Sequence, residues 1–98
     1  MTSSNRELLY SKKAEKFILH LNRSQSKHAR QILIKLAALP GNPLPPDSIA
    51  LKGIERVYRL SVGEYRVIYV FDDTSVTIAL IGKRNDSEIY KQFNRKLN

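Results

Sequence analysis

Cysteine and tryptophan are absent from the 98 residues of this chain, and methionine occurs only once. Without cysteine, disulfides and thiolate-bound metals are excluded. No apolar run approaches the roughly 20 residues that a membrane-spanning helix needs, and the polar N-terminus does not resemble a signal peptide. We therefore expect residues 1–98 to form a single cytoplasmic domain with one modest core and no membrane association.

Acidic side chains are also scarce, because nine Asp and Glu stand against 17 Lys and Arg, for a net charge of +8. Residues 1–40 hold eight basic and two acidic side chains, residues 41–81 hold four and five, and residues 82–98 hold five and two. Such a basic balance is typical of nucleic-acid binding, and also of a small protein with an acidic partner. A basic surface that is merely solvated is the third interpretation.

Apolar spacing in the first half predicts a short strand at residues 7–10 and two helices. Ser11 is placed to cap the first helix, whose apolar face is Ala14, Phe17, Ile18 and Leu21. Ser24 is the predicted cap of the second helix, with Ala29, Ile32, Leu33 and Leu36 on its apolar face. Pro40 and Gly41 end that helix, so the pair forms a helical hairpin, and residues 40–50 are predicted to be a connector.

Beyond Gly53 the apolar period changes to 2, which predicts antiparallel strands at residues 56–62, 65–71 and 75–81. Gly63-Glu64 suits a two-residue turn with glycine first. A last short helix follows Asn85 or Asp86, with Ile89, Phe93 and Leu97 on one face. The predicted fold is therefore α+β: a short N-terminal strand, an α-helical hairpin, a three-stranded antiparallel meander and a short C-terminal helix.

The glycine turn also predicts a register. If Val62 faces Tyr65, the face shared by Tyr58, Leu60, Val67 and Tyr69 is apolar and should contact the helices. Arg59 and Arg66 then lie near each other on the opposite face. A tight second turn would bring Ile81 beside Arg66 and Arg84 to the same end of the sheet. Each arginine is a permanent cation with a planar fork that suits phosphate.

Several motifs together resemble the RelE toxins of the RelE/ParE superfamily over nearly the whole chain. They are Leu51-Lys52-Gly53, Tyr58-Arg59-Leu60, Gly63-Glu64-Tyr65-Arg66-Val67-Ile68-Tyr69, Gly82-Lys83-Arg84, Tyr90 and the N-terminal YSKKAEKFI. The resemblance implies the same order of strands and helices as the apolar pattern. It also implies the toxin of a type II toxin–antitoxin system that cleaves messenger RNA on the ribosome without a metal or cofactor.

In the cleavage that the resemblance implies, the RNA 2′-hydroxyl attacks the adjacent phosphate and leaves a 2′,3′-cyclic phosphate. The implied catalytic residues are Arg59, Arg66, Arg84 and Tyr90, and the candidate RNA contacts are Lys52, Ser61, Lys83 and Lys91. Some members of the family carry a lysine where this chain has Ser61, and Arg59 cannot lose its proton at working pH. The identity of the general base therefore stays open.

The resemblance further implies a RelB-like antitoxin that links the toxin to operator DNA. Because the net charge of +8 calls for an acidic partner, we expect an acidic antitoxin segment to bind against the sheet or the helical hairpin near the last helix and to disturb the pocket. Two alternatives remain. One is a ParE-like toxin that poisons DNA gyrase and cleaves nothing, and the other is a degenerate toxin that acts only as a corepressor with its antitoxin. His20 and His28 are interpreted as core-edge or surface residues, and Asp72-Asp73 and Glu64 as turn residues.

Overall fold

The computed structural model describes residues 6–84. Its elements, in chain order, are β1 (Glu7–Tyr10), α1 (Lys12–Ser24), α2 (Ser26–Ala37), β2 (Ser48–Ala50), β3 (Val57–Val62), β4 (Tyr65–Phe71) and β5 (Ser75–Lys83). The predicted last helix, with Ile89, Phe93 and Leu97, lies outside the described residues. Neither α1 nor α2 is long and apolar enough to cross a membrane.

The five strands form one mixed sheet in the order β1-β5-β4-β3-β2. The predicted meander is its centre, with β3, β4 and β5 antiparallel. The strand β1 pairs in parallel with β5 and so forms one edge. Both helices cover the same face, where the core is built from Ala14, Ile18, Ala29, Ile32, Leu36, Leu60, Val67, Tyr69 and Ile78. The helices therefore leave the other face of the sheet uncovered.

The start of α1 is as predicted, and the start of α2 is not. The Ser11 Oγ accepts a hydrogen bond from the Ala14 N–H at 3.1 Å, which is a side-chain N-cap. However, α1 continues through Ser24, because the Gln25 N–H still bonds to the Leu21 carbonyl at 2.7 Å. Gln25 is therefore the N-cap of α2, without a side-chain capping bond. The predicted cap at Ser24 is wrong.

The proline-rich connector contains an element that the sequence pattern did not predict. Its last residues form β2, which pairs antiparallel with β3 at the other edge of the sheet and sets Ile49 opposite Arg59. The connector is held by a hydrogen bond from the Tyr69 hydroxyl to the Pro43 carbonyl at 2.6 Å. It is also held by the ion pair of Lys35 with Asp47. In this pair Lys35 donates a hydrogen bond to the Asp47 carboxylate, which lowers the pKa of that carboxyl. Three residues after a proline pair form a typical short edge strand.

A bulge in β5 changes the register that the tight turn predicted. Ile68 pairs with Leu80 and Tyr69 with Ile78, so Ala79 is an extra residue. The Ala79 carbonyl accepts a hydrogen bond from the Ser11 Oγ at 2.7 Å, which ties the bulge to the start of α1. As a result Gly82, and not Ile81, lies opposite Arg66. The prediction of Ile81 beside Arg66 is wrong by one residue.

Candidate functional site

The sheet face away from α1 and α2, here called the arginine face, carries Arg59, Ser61 and Arg66. The predicted hairpin register is confirmed, since Val62 pairs with Tyr65, Ser61 with Arg66 and Arg59 with Ile68. Arg59 and Arg66 are consequently diagonal neighbours, with Cα atoms about 7–8 Å apart in such a geometry. Both side chains are half-buried. Two permanent positive charges are thus fixed on one rigid pair of strands.

The Arg66 guanidinium is oriented by the turn that precedes its strand. Its Nη1 donates hydrogen bonds to the Gly63 carbonyl at 2.9 Å and to the Tyr65 carbonyl at 2.8 Å. Gly63 has a φ of 57°, as the first position of this turn requires. Within residues 6–84 the Nε and Nη2 groups make no hydrogen bond. Arg66 therefore presents an oriented fork with donors left for an anion.

Arg84 reaches the same end of the sheet through the same turn. Its backbone N–H donates to the Glu64 carbonyl at 2.7 Å, directly after β5, and its side chain is exposed. Lys83 is placed differently, because its register partner is Tyr65, whose ring belongs to the core under the helices. Position 83 is therefore on the helix side of the sheet, and Lys83 is not brought to the arginine face.

A second, smaller apolar cluster covers the other half of the arginine face. Leu51 and Ile54, from the loop between β2 and β3, pack over the buried residues Val57, Ile68 and Leu80. Lys52 is exposed in that loop, which precedes β3, whereas Arg66 lies beside the end of β3. The structure therefore does not bring Lys52 together with Arg66. Tyr90 and Lys91 lie outside the described residues.

The site has two features that the sequence pattern did not reveal. Glu64 was interpreted as an ordinary turn residue, yet its turn holds Arg66 through Gly63 and Arg84 through the Glu64 carbonyl. Gly82, opposite Arg66, adds no side chain to this face. A glycine inside a strand often marks a bulge or a close approach, and this was the available signal for Gly82.

Both histidines lie on the helices, His20 on α1 and His28 on α2, and so on the other side of the sheet from the arginine face. The His28 Nδ1 lies 3.0 Å from the Tyr65 hydroxyl, and the two rings meet edge to face, so His28 packs the hairpin joint onto β4. No cluster of three or more side chains suited to a metal ion occurs between residues 6 and 84. In the same range neither Arg66 nor Arg84 forms an ion pair. The arrangement can bind a phosphate and stabilise charge that develops on it.

Comparison with known proteins points to one family. The family model described as the ParE toxin of the type II toxin–antitoxin system parDE matches residues 8–88. A search of curated proteins found no match.

Solved structures of toxins share the fold. The archaeal RelE–RelB complex from Pyrococcus horikoshii OT3 matches at 28% identity and a TM-score of 0.70, over 82% of this chain and 96% of that one. A free arginine-to-alanine variant of the E. coli toxin RelE matches at 21% identity and a TM-score of 0.75, over 96% and 99%. The YoeB dimer from Staphylococcus aureus matches at 21% and 0.69, over 78% and 93%.

Proposed function

Because this chain belongs to the ParE toxin family of the RelE/ParE superfamily, we propose that this toxin is an endoribonuclease that cleaves messenger RNA on the ribosome. The observation that supports this proposal is the arginine face, where Arg59 and Arg66 are diagonal neighbours and Arg84 follows at the same end. Phosphoryl transfer depends mainly on positioning and on stabilising charge at the phosphate, and fixed guanidinium groups supply both. The proposed place of action is the cytoplasm, where messenger RNA is translated.

The test is primer extension on a defined messenger RNA, with and without programmed ribosomes. We expect discrete cuts within codons when ribosomes are present and little or no cutting of free RNA. Pre-treatment of the protein with EDTA should have no effect, because the resemblance to RelE toxins implies cleavage without a metal. Rapid cutting of naked RNA, or no cutting on ribosomes, would contradict the proposal.

Gyrase poisoning is the second candidate function, and the matched family model favours it, since that model describes ParE toxins. A supercoiling assay with purified DNA gyrase separates the two functions. A toxin that blocks gyrase and leaves ribosome-bound RNA intact is ParE-like. A protein that does neither, and only binds operator DNA with its antitoxin, is the degenerate corepressor.

An acidic antitoxin is the proposed partner, and the outer side of the helical hairpin is its proposed docking surface. A groove of about 200 Å³ lies there between Tyr10, Glu15, Ile18, Leu19 and Leu33. Leu19 and Ile34 are 59% and 64% exposed, a large exposure for such side chains. The two helices that form the groove also carry exposed cations, at Lys12, Lys13, Lys16, Arg23, Lys27 and Arg30. The partner that fits is an amphipathic helix, whose apolar face would contact the groove and whose acidic side chains would contact the cations of the two helices.

Leu19→Lys is expected to weaken antitoxin binding by on the order of 10-fold or more, because it puts a charge into the lining of the apolar groove. The antitoxin is sought as a small acidic protein encoded by the neighbouring reading frame, and its affinity is measured by calorimetry. Toxicity of the variant alone should be retained. Leu44→Lys is the matched control, since Leu44 is 53% exposed in the connector. Equal affinity of the Leu19 variant and the wild type would exclude this surface.

A further inference from the structure

The proposed cleavage needs a group that takes the proton from the RNA 2′-hydroxyl, and the arginine face offers none. Arginine stays protonated at working pH, so neither Arg59 nor Arg66 can act as the base. The hydroxyl of Ser61, directly opposite Arg66, is a poor proton acceptor. Lys83, the nearest ammonium group in the register, belongs to the helix side. Among residues 6–84, a base is therefore to be sought at the rim of this face.

Glu64 is the carboxylate at that rim. The Glu64 carbonyl accepts the Arg84 N–H at 2.7 Å, and the preceding Gly63 carbonyl accepts the Arg66 Nη1 at 2.9 Å. One rigid turn thus determines the position of both arginines and of the Glu64 backbone. Glu64 is exposed, so its carboxylate is open to solvent at the end of the sheet where Arg66 and Arg84 lie.

The other described carboxylates near the sheet are engaged or distant. Asp47 lies beside Ser61 through its backbone, but its carboxylate is bound by Lys35 of α2. Asp72 and Asp73 are in the turn between β4 and β5, at the opposite end of β4 from Arg66. Glu55 lies in the loop before β3, and so also at the far end. Among the described carboxylates near the sheet, Glu64 is therefore the one whose position at the end of the sheet beside Arg66 suits a general base.

We propose that Glu64 is the general base of RNA cleavage, an inference that rests on the proposed function. The Glu64 carboxylate takes the proton of the 2′-hydroxyl while the 2′-oxygen forms a bond to phosphorus. The bond from phosphorus to the 5′-oxygen breaks, and that oxygen takes a proton from water and leaves as a 5′-hydroxyl. Arg66 and Arg84 offset the charge on the phosphate oxygens. Glu64 then gives its proton to the hydroxide that this water leaves behind, which restores the carboxylate and balances the protons without any change of oxidation state.

The test is single-turnover cleavage of messenger RNA on programmed ribosomes with the intact protein across a pH series. Glu64→Gln keeps the size and polarity of the side chain and removes the base. It is expected to lower the rate by on the order of 100-fold and to abolish the rise of the rate with pH that a general base produces, with little change in the half-saturating protein concentration. Glu64→Asp should restore part of the rate. Asp73→Asn, in the other turn, is the matched control and should behave as the wild type.

The outcomes separate this inference from the proposed function. Cleavage by the wild type together with an unchanged rate and pH profile for Glu64→Gln would overturn the role of Glu64 alone. A pH profile that survives in Glu64→Gln and is lost in Lys83→Gln would assign the base to Lys83 instead and overturn the role of Glu64. Glu64 lies in the turn that holds Arg66 and Arg84, whereas Lys83 is on the helix side of the sheet. Absence of cleavage by the wild type would overturn both proposals.

Discussion

Arg66→Ala and Arg84→Ala are each expected to relieve growth arrest and to lower the cleavage rate on ribosomes by about 100-fold or more. Removing one fixed donor from a site that stabilises transition-state charge typically has an effect of this size. For Arg66 the reason is specific, because its guanidinium is already oriented by the Gly63 and Tyr65 carbonyls before any ligand binds. Arg66→Lys keeps the charge and loses the planar fork, so an intermediate rate is expected.

Arg30→Ala is the matched control for these two variants. Arg30 is an exposed cation on α2, on the opposite side of the sheet from the arginine face, and its loss changes the net charge equally. Circular dichroism and a thermal melt show whether each variant is folded. Full toxicity of folded Arg66→Ala and Arg84→Ala would contradict the nuclease proposal and would favour gyrase poisoning.

Tyr69→Ala is expected to lower the free energy of unfolding by about 3–5 kcal/mol, a large fraction of the 5–15 kcal/mol of a typical domain. The Tyr69 side chain is fully buried, and its ring packs with Tyr58 at 5.8 Å and Phe71 at 6.4 Å between centroids. The substitution removes the ring from the core and also the hydrogen bond to the Pro43 carbonyl. Urea denaturation monitored by circular dichroism measures the change.

Tyr69→Phe separates the ring from the hydroxyl. It should cost about 1–2 kcal/mol, because the Pro43 carbonyl loses its donor while the ring remains. Tyr58→Phe is the control, since the Tyr58 hydroxyl makes no hydrogen bond within residues 6–84. Burial raises the pKa of the Tyr69 hydroxyl, so folding favours its neutral form. That contribution to stability is complete below about pH 10 and is lost above it in the wild type and in Tyr58→Phe, but not in Tyr69→Phe. Equal costs for the Ala and Phe variants would contradict this account.

The central hairpin could be predicted because its information is local. Gly63 specifies the turn, the turn specifies the register, and alternation then assigns Arg59 and Arg66 to the face away from the helices. Ser11 is a similar case, since a cap depends on a few neighbouring residues. The resemblance to RelE toxins, now supported by the matched family, came from the same short motifs.

The features that the sequence did not predict depend on interactions between distant parts of the chain. The bulge at Ala79 is held by Ser11, 68 residues earlier, and no residue near Ala79 signals it. The strand β2 depends on an open edge of β3, which exists only in the folded sheet. Glu64 was set aside because turn carboxylates are common, and only the bonds of its turn to Arg66 and Arg84 reveal its position.

The parallel pairing of β1 with β5 affects how the protein can be made. Glu7 pairs with Ser75 and Tyr10 with Ile78, so the paired residues are almost as far apart in sequence as residues 6–84 allow. Contacts so far apart in sequence form late, since a long loop must close before they stabilise anything. During synthesis, β1 leaves the ribosome first and has no neighbour until β5 follows. The β1 edge of the sheet is therefore completed only after nearly all of the described residues have been translated, whereas the hairpin of β3 and β4 that carries Arg59 and Arg66 needs only neighbouring residues to pair.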